Sequence, residues 1–147
     1  MTPPEHLSRP VGWWLKEADS RLDAAFDRSL AEQPVDRRGW QVLATLTRRP
    51  TPAEEVVAEL SAFDPAPVVE AVLTDLTTSG WIEDVAGQLR PTEAGRRLYA
   101  DLVPLVGGVR EQVGAALPQQ DYATLVRLLE RLATALEETR RLERDAP

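Results

Sequence analysis

The sequence predicts a mainly α-helical protein with one small β-hairpin, and three observations support this fold class. Apolar residues recur at steps of three and four over most of the 147 residues, as they do along one face of an amphipathic helix. Pro and Gly divide these periodic stretches into separate segments. Residues 81–90, WIEDVAGQLR, instead suggest two short strands joined by an Ala86-Gly87 turn. The predicted order is four helices, the hairpin and two further helices.

The first two helices are predicted from their apolar stripes and their boundaries. Residues 11–30 carry apolar side chains at helical spacing, and Gln33-Pro34 ends this stretch. A second helix is predicted over 36–48, with the cations Arg48 and Arg49 at its carboxyl end, where they suit the helix dipole.

The third and fourth helices each follow a polar residue and a proline. Thr51 is expected to cap the third helix, with Glu54 completing a capping box across Pro52. Asp64-Pro65 repeats the pattern and opens the fourth helix over about 64–80. Gly80 is expected to end that helix in the left-handed conformation.

The last two helices are long. One opens at Thr92-Glu93 and is expected to kink near Pro104, and Leu117-Pro118 ends it. The final helix is expected to fray from about Glu137. It carries apolar residues at alternating steps of three and four, which suits packing against a partner helix: Tyr122, Leu125, Leu129, Leu132 and Leu136.

Composition excludes several classes of function. The chain has no Cys, which excludes disulfides and thiolate metal sites, and its single His, His6, lies in a Pro-rich stretch over 1–10 that we expect to be a disordered tail. No apolar run approaches the roughly 20 residues of a membrane helix, and the N-terminus has no signal-peptide core. We therefore expect a cytoplasmic protein without a membrane partner.

No set of residues suggests catalysis, a metal site or a cofactor. His6 has no triad context, and Gly107-Gly108 lies inside a predicted helix rather than in a phosphate-binding loop. Carboxylate pairs such as Glu54-Glu55 lie at predicted surface positions. We therefore expect a binding protein rather than an enzyme, with no catalytic residues, no metal ligands and no cofactor.

Four segments together resemble the MarR family of bacterial transcriptional regulators. They are RRGWQVLATL (37–46), SGWIED (79–84), LRPTEAGRRLYADL (89–102) and LPQQDYATLVRLLERLATALE (117–137). The resemblance covers nearly the whole chain. It implies a winged helix–turn–helix over 36–91, flanked by helical dimerisation regions at 11–35 and 92–143, in one domain overall.

The resemblance also implies a homodimer that binds double-stranded DNA. Each subunit would place its fourth helix in one major groove of a palindromic operator. The candidate DNA-binding residues on that helix are Ala66, Pro67, Glu70, Ala71 and Thr74. Arg37 and Arg38 at the start of the second helix, and Arg90 in the wing, are the candidate basic contacts.

The charge distribution opposes this interpretation. Affinity for DNA comes largely from neutralised phosphates, yet residues 51–90 contain eight carboxylates and one basic residue, Arg90, and hold the whole of the net charge of −7. Glu70 could accept a hydrogen bond from cytosine N4, or it could repel phosphate. The short stretch EDVAGQLR lacks the Asp-x-Arg element usual in the wings of this family. The alternative is therefore a dimer of the same fold with weak or lost DNA binding that works through protein or ligand contacts.

Four aromatic residues are candidates for a small-molecule site. In the family arrangement, Trp13 or Trp14 would meet Trp40 and Tyr99 around a pocket for an aromatic or apolar effector, and Lys16 or Arg38 could pair with an effector carboxylate. The alternative is that these aromatic side chains fill the core and the dimer interface, and general burial statistics favour it.

Overall fold

The structure is a computed structural model that describes residues 2, 4 and 8–146. His6 and most of the predicted tail over 1–10 lie outside the described residues. Six helices and one hairpin follow in the predicted order: α1 (Val11–Ser29), α2 (Arg37–Arg48), α3 (Ala53–Glu59), α4 (Ala66–Thr78), β1 (Ile82–Val85), β2 (Gln88–Pro91), α5 (Glu93–Ala116) and α6 (Gln119–Arg144). In the described part of the chain, no helix combines the length and the apolarity that a bilayer crossing requires.

The hairpin confirms the predicted turn. The antiparallel register pairs Ile82 with Pro91 and Val85 with Gln88, which leaves Ala86 and Gly87 as a two-residue loop. Both loop residues have positive φ, 55° and 82° respectively, as the tight turns that match strand twist require. The Asp84 side chain accepts a hydrogen bond from the Gly87 amide at 2.8 Å and supports the turn. Gly80 ends α4 with φ of 79°, also as predicted.

The predicted cap at Thr51 is wrong. Pro52 occupies the N-cap position of α3, and no side chain caps that helix. Thr51 is fully buried, and its hydroxyl donates to the Arg49 carbonyl at 2.9 Å. Its backbone forms a bridge with Leu89, through hydrogen bonds of 3.0 and 2.9 Å. Two backbone hydrogen bonds to a residue 38 positions away therefore fix Thr51, and the bridge joins the α2–α3 connection to the wing.

The predicted cap at Asp64 is also wrong. Pro65 is the N-cap of α4, and no side chain hydrogen bond caps that helix. Asp64 instead accepts from the Nε of Arg38 at 2.6 Å. A charge-assisted bond to a guanidinium is stronger than an ordinary cap, and it joins the start of α2 to the start of α4.

One hydrophobic core holds the first four helices, the hairpin and the first part of α5 together. Its fully buried side chains come from α2, α3, α4, β1 and α5: Val42, Leu43, Leu46, Val56, Val69, Ile82, Leu102 and Val106. Apolar residues recur at helical spacing along α2 and α4, and this places Leu43 and Val69 on the buried faces of the two helices. This core orients α4 and the wing relative to α2.

Two compact units make up the chain, one running to Val109 and the other beginning at Arg110. α5 is continuous through Pro104 and Gly107-Gly108, and the kink or loosening expected there stays a prediction. The buried residues Leu98, Leu102 and Val106 hold the helix on both sides of the proline, and breaking it would cost more than the one hydrogen bond that proline removes. α6 extends to Arg144, beyond the expected fraying point at Glu137.

Candidate nucleic-acid interface

The outer face of α4 brings the five candidate residues of this helix together. Ala66, Pro67, Glu70, Ala71 and Thr74 are all exposed. The opposite side of the helix is buried in the core at Val69, Leu73 and Leu76. The Thr74 hydroxyl donates to the Glu70 carbonyl at 3.1 Å, within the helix itself. The face therefore presents mainly small apolar groups and methyl groups, with Glu70 as its charged member.

Arg37 and Arg38 are half-buried and pair with carboxylates. Arg37 contacts Asp23 of α1, and its guanidinium lies 4.5 Å from the centre of the Phe26 ring. Arg38 binds Asp64 and the Gln41 side chain, and it lies 5.0 Å from the centre of the Phe63 ring. These contacts fix the first turn of α2 against its neighbours. Arg38 holds the start of α4 and Arg37 holds α2 against α1. A phosphate contact from either arginine would have to compete with an existing carboxylate.

Arg90 lies on β2 and pairs across the hairpin with Glu83. Its Nε donates to the Glu83 carboxylate at 2.9 Å, and both side chains are about half exposed. Opposite charges at directly paired strand positions stabilise a hairpin modestly. The structure places Arg90 in the wing, as predicted, but in a local ion pair.

Ion pairs compensate part of the negative charge of residues 51–90. Four of its eight carboxylates have an arginine partner, and two of those arginines come from α2 and a third directly follows it: Asp64 with Arg38, Glu59 with Arg48, Glu55 with Arg49, and Glu83 with Arg90. The other four, Glu54, Glu70, Asp75 and Asp84, form no ion pair within residues 8–146. Intramolecular pairing thus halves the number of uncompensated carboxylates, and it also occupies the arginines that DNA would need.

The start of α5 holds a further arginine pair. Arg96 and Arg97 both contact Glu93, and these hydrogen bonds, with the two positive charges, hold the pKa of Glu93 below its ordinary value. Arg96 also donates to the Pro91 carbonyl at 3.1 Å. This contact fixes the end of the wing to the first turn of α5.

The aromatic candidates fall into two groups. Trp13 and Trp14 meet edge to face at 4.7 Å between ring centres, with Trp13 half-buried and Trp14 exposed. Trp40 stacks on Phe26 at 6.0 Å, and both Trp40 and Tyr99 pack against the core. Lys16 is exposed on α1. The contacts of Trp40 and Tyr99 are those of packing residues, which leaves the predicted effector site as a prediction.

A cleft of about 440 Å³ lies elsewhere, between the α1–α2 connection and the second half of α4. Leu30, Val35, Val72, Leu76 and Trp81 form its apolar wall, and three carboxylates also line it: Asp27, Asp36 and Asp75. This site could not be found from the sequence, because its residues come from two stretches, 27–39 and 72–81, that lie far apart in the chain. The one signal in the sequence was the absence of Lys and Arg from α4 and from residues 29–36.

α6 presents a stripe of exposed apolar residues in the described part of the chain. None of its residues is buried, and Tyr122, Leu125 and Leu136 are exposed by 51%, 41% and 63%. A long amphipathic helix with its apolar face in water is unstable on its own.

The structure is similar to solved structures of bacterial transcriptional regulators, whereas no family model and no curated protein matches the sequence. A probable transcriptional regulator from Pseudomonas aeruginosa has 25% identity and a TM-score of 0.73, over 86% of this chain and 98% of that one. BpsR of Bordetella bronchiseptica, whose DNA binding is regulated by 6-hydroxynicotinic acid, has 22% identity and a TM-score of 0.74, over 89% and 99%. A MarR family protein of Mycobacterium tuberculosis, in complex with DNA, has 21% identity and a TM-score of 0.66, over 84% and 98%.

These similarities cover nearly the full length of both chains in each comparison. In this chain, one helix precedes and two long helices follow a three-helix unit with a two-stranded wing. The chain therefore has the winged helix–turn–helix fold of the MarR-type transcriptional regulators.

Proposed function

We propose that this protein is a homodimeric, DNA-binding transcriptional regulator of the cytoplasm, with no enzymatic activity. The observation that carries the proposal is the outer face of α4, which is exposed, made mostly of small side chains apart from Glu70, and held by the core and by the Arg38–Asp64 bond. Such a face fits a major groove, where Ala71 and the methyl group of Thr74 would contact thymine methyl groups. The DNA-bound Mycobacterium tuberculosis protein of the same fold supports this proposal.

The apolar stripe of α6 supports the homodimer. A second copy would cover Leu125, Leu129 and Leu132 at alternating steps of three and four, the spacing by which paired helices interlock. A two-fold dimer would present two copies of α4, which requires a palindromic operator. Sedimentation velocity of the wild type and of Leu129→Glu tests this step. We expect the mass of two chains for the wild type and of one chain for the variant, and a monomeric wild type would contradict the proposal.

Sequence-specific DNA binding through α4 is tested by fluorescence anisotropy with DNA from the region upstream of the protein's own gene. We expect the wild type to prefer this DNA to a scrambled sequence of equal length. Ala71→Glu places a carboxylate in the centre of the α4 face and should reduce the specific affinity about tenfold or more. Ala100→Glu makes the same change at an exposed site of α5 and should leave the affinity unchanged. Equal binding to both DNAs, or equal effects of the two substitutions, would contradict the proposal.

A second candidate function is a dimer of this fold that contacts a protein or ligand rather than DNA. It is favoured by the ion pairing of all seven arginines in and around the winged helix: Arg37, Arg38, Arg48, Arg49, Arg90, Arg96 and Arg97. Phosphate binding by these arginines would have to break existing bonds. Absence of DNA binding at low salt, with an intact dimer, would favour this candidate.

We further propose that a small aromatic or apolar effector modulates DNA binding. The four residues of the proposed site are Trp13, Trp14, Trp40 and Tyr99, as expected from the family resemblance. The regulation of BpsR by 6-hydroxynicotinic acid supports an aromatic effector for a protein of this fold. Lys16 is the better placed of the two candidate cations for an effector carboxylate, because Asp64 and Gln41 already bind Arg38. Loss of DNA affinity on adding an aromatic acid, abolished in Lys16→Ala, is the expected result.

A further inference from the structure

We infer that the cleft between the α1–α2 connection and α4 binds a small organic cation that carries an aromatic ring. The cleft encloses about 440 Å³, a volume within the usual range of ligand pockets. It is separate from the proposed aromatic effector site, since none of Trp13, Trp14, Trp40 and Tyr99 lines it.

The walls of the cleft are apolar and firmly held. Leu30 and Leu76 are buried, and Trp81 adds a half-buried aromatic surface. The Trp81 amide donates to the Leu76 carbonyl at 2.9 Å, and the Trp81 carbonyl accepts from the Thr92 amide at 3.1 Å. The ring of a ligand would therefore bind against an aromatic wall whose backbone is already fixed. A cation beside Trp81 would also gain from the negative face of the indole.

The charged side chains that line the cleft are all negative. Asp27, Asp36 and Asp75 line it, whereas its lining contains no Lys and no Arg among the residues that the structure describes. None of these three carboxylates takes part in an ion pair with another part of the described chain. The nearby Arg37 and Arg38 are engaged with Asp23 and Asp64. A ligand with one positive charge would complement a site whose three carboxylates form no ion pair within residues 8–146.

The helix dipoles act in the same direction. The carboxyl ends of α1 and α4 both reach the cleft, at Leu30 and at Ser79, and the carboxyl end of a helix favours cations. The last turn of α4 holds no basic residue, whereas the last turn of α1 holds Arg28, which does not line the cleft. The carboxyl end of α4 is therefore the one without a cation of its own. One helix amino end, that of α2, also borders the cleft, but Asp36 caps it by accepting from the Gly39 amide at 3.0 Å. The dipoles therefore favour a cation over an anion.

Three compounds that share an indole ring test the inference. They are tryptamine, which is a cation, tryptophol, which is neutral, and indole-3-acetate, which is an anion. Each is titrated into the ¹⁵N-labelled protein, without DNA, while amide and indole N–H shifts are followed by NMR. We expect saturable shifts at Val72, Asp75 and the Trp81 indole with tryptamine, much weaker ones with tryptophol and none with indole-3-acetate.

Two charge-neutralising variants and one control locate the site. Asp27→Asn and Asp75→Asn should each weaken tryptamine binding about threefold, the usual size for one partly exposed charge pair. Asp101→Asn removes an exposed carboxylate on α5 that does not line the cleft, and it should leave the affinity unchanged.

Four results would overturn the inference. The first is equal binding of the three indoles, which would mean an apolar site without charge selection. The second is a set of non-saturating shifts spread over the acidic surface, and the third is an equal effect of Asp101→Asn. The fourth is tighter binding of a penta-arginine peptide at the same residues, which would mean that the occupant is a protein segment. Because no DNA is present, failure of the proposed DNA binding would not affect this test.

Discussion

Gly95→Ala is predicted to destabilise the protein because no side chain fits at this position. Gly95 is buried in the first turn of α5, beside the residue that precedes β1. A Cβ at Gly95 would lie 1.9 Å from the Trp81 carbonyl oxygen and 3.0 Å from its carbon. Carbon–oxygen contacts are normally about 3.3 Å or longer, so roughly 1.4 Å of overlap must be relieved. Both partners are backbone, and neither can rotate away.

The size of the destabilisation by Gly95→Ala follows from the contacts that a displacement of α5 from Trp81 would disrupt. Separating α5 from Trp81 would weaken the Thr92–Trp81 backbone bond of 3.1 Å, at a cost of about 1 kcal/mol. Overpacking in a well-packed site costs up to about 3 kcal/mol. Alanine is better than glycine in a helix by about 1 kcal/mol. The net expectation is a loss of about 3 kcal/mol in the free energy of unfolding.

Urea denaturation followed by far-ultraviolet circular dichroism, at one fixed protein concentration, measures this loss. Gly108→Ala is the matched control, since it lies in the same helix and a Cβ there would meet nothing within 4 Å. The control should gain about 0.5–1 kcal/mol from helix propensity. If Gly95→Ala proved as stable as the wild type, the close approach of α5 to Trp81 would be refuted.

Three further predictions concern the wing, the α2–α3 connection and the start of α5. Ala86→Asn should raise the free energy of unfolding by about 0.5–1 kcal/mol, because φ is 55° at this position and asparagine tolerates the left-handed region better than alanine. Thr51→Val should lower it by about 1–3 kcal/mol, because the buried hydroxyl donates to a backbone carbonyl that would lose its partner. Glu93 is ionised in its pairs with Arg96 and Arg97, with a lowered pKa. Its contribution to stability is therefore present at neutral pH and is lost as the pH falls through that lowered pKa.

The predictions for Ala86, Thr51 and Glu93 can each be measured, and each has an outcome that would contradict it. Urea denaturation of Ala86→Asn beside Ala62→Asn, an exposed site in the α3–α4 loop, separates the effect of the turn from that of the side chain; equal changes would argue against strain at the turn. Thr51→Ser keeps the hydroxyl, so its stability should exceed that of Thr51→Val, and the reverse order would contradict the role of the hydrogen bond. For Glu93, the difference in unfolding free energy between the wild type and Glu93→Gln should shrink on acidification, and a difference that grew would contradict the pKa assignment.

The sequence predicted the elements well and their junctions poorly. Helical periodicity located α1 to α6, and the pair Ala86-Gly87 located the turn, because these signals depend on residues close together in the chain. The expected caps at Thr51 and Asp64 were wrong because residues far along the chain hold both positions: Leu89 binds the backbone of Thr51, whose hydroxyl donates to the Arg49 carbonyl, and Arg38 binds the Asp64 carboxylate. The residues next to Thr51 and Asp64 in the sequence do not show which distant residue will contact them.

The candidate site was predicted in part for the same reason. The apolar residues of α4 recur on one side of the helix, so the sequence also shows which side is exposed. Ala71 and Thr74 could therefore be assigned to the exposed face from the sequence. The ion pairs of Arg37 and Arg38 could not, since their partners lie in α1 and in the α3–α4 loop. The cleft at Trp81 could not be predicted either, because two stretches that lie far apart in the chain, 27–39 and 72–81, form its walls.

The salt dependence of DNA binding tests the proposed function most directly. The affinity for the upstream DNA is measured by anisotropy over a series of salt concentrations and plotted as log K against log salt. Because the arginines around the winged helix are already paired, we expect specific binding at low salt with a shallow slope of roughly −2 to −4, for two to four phosphate contacts per dimer. Absence of specific binding even at the lowest salt would contradict the proposed function.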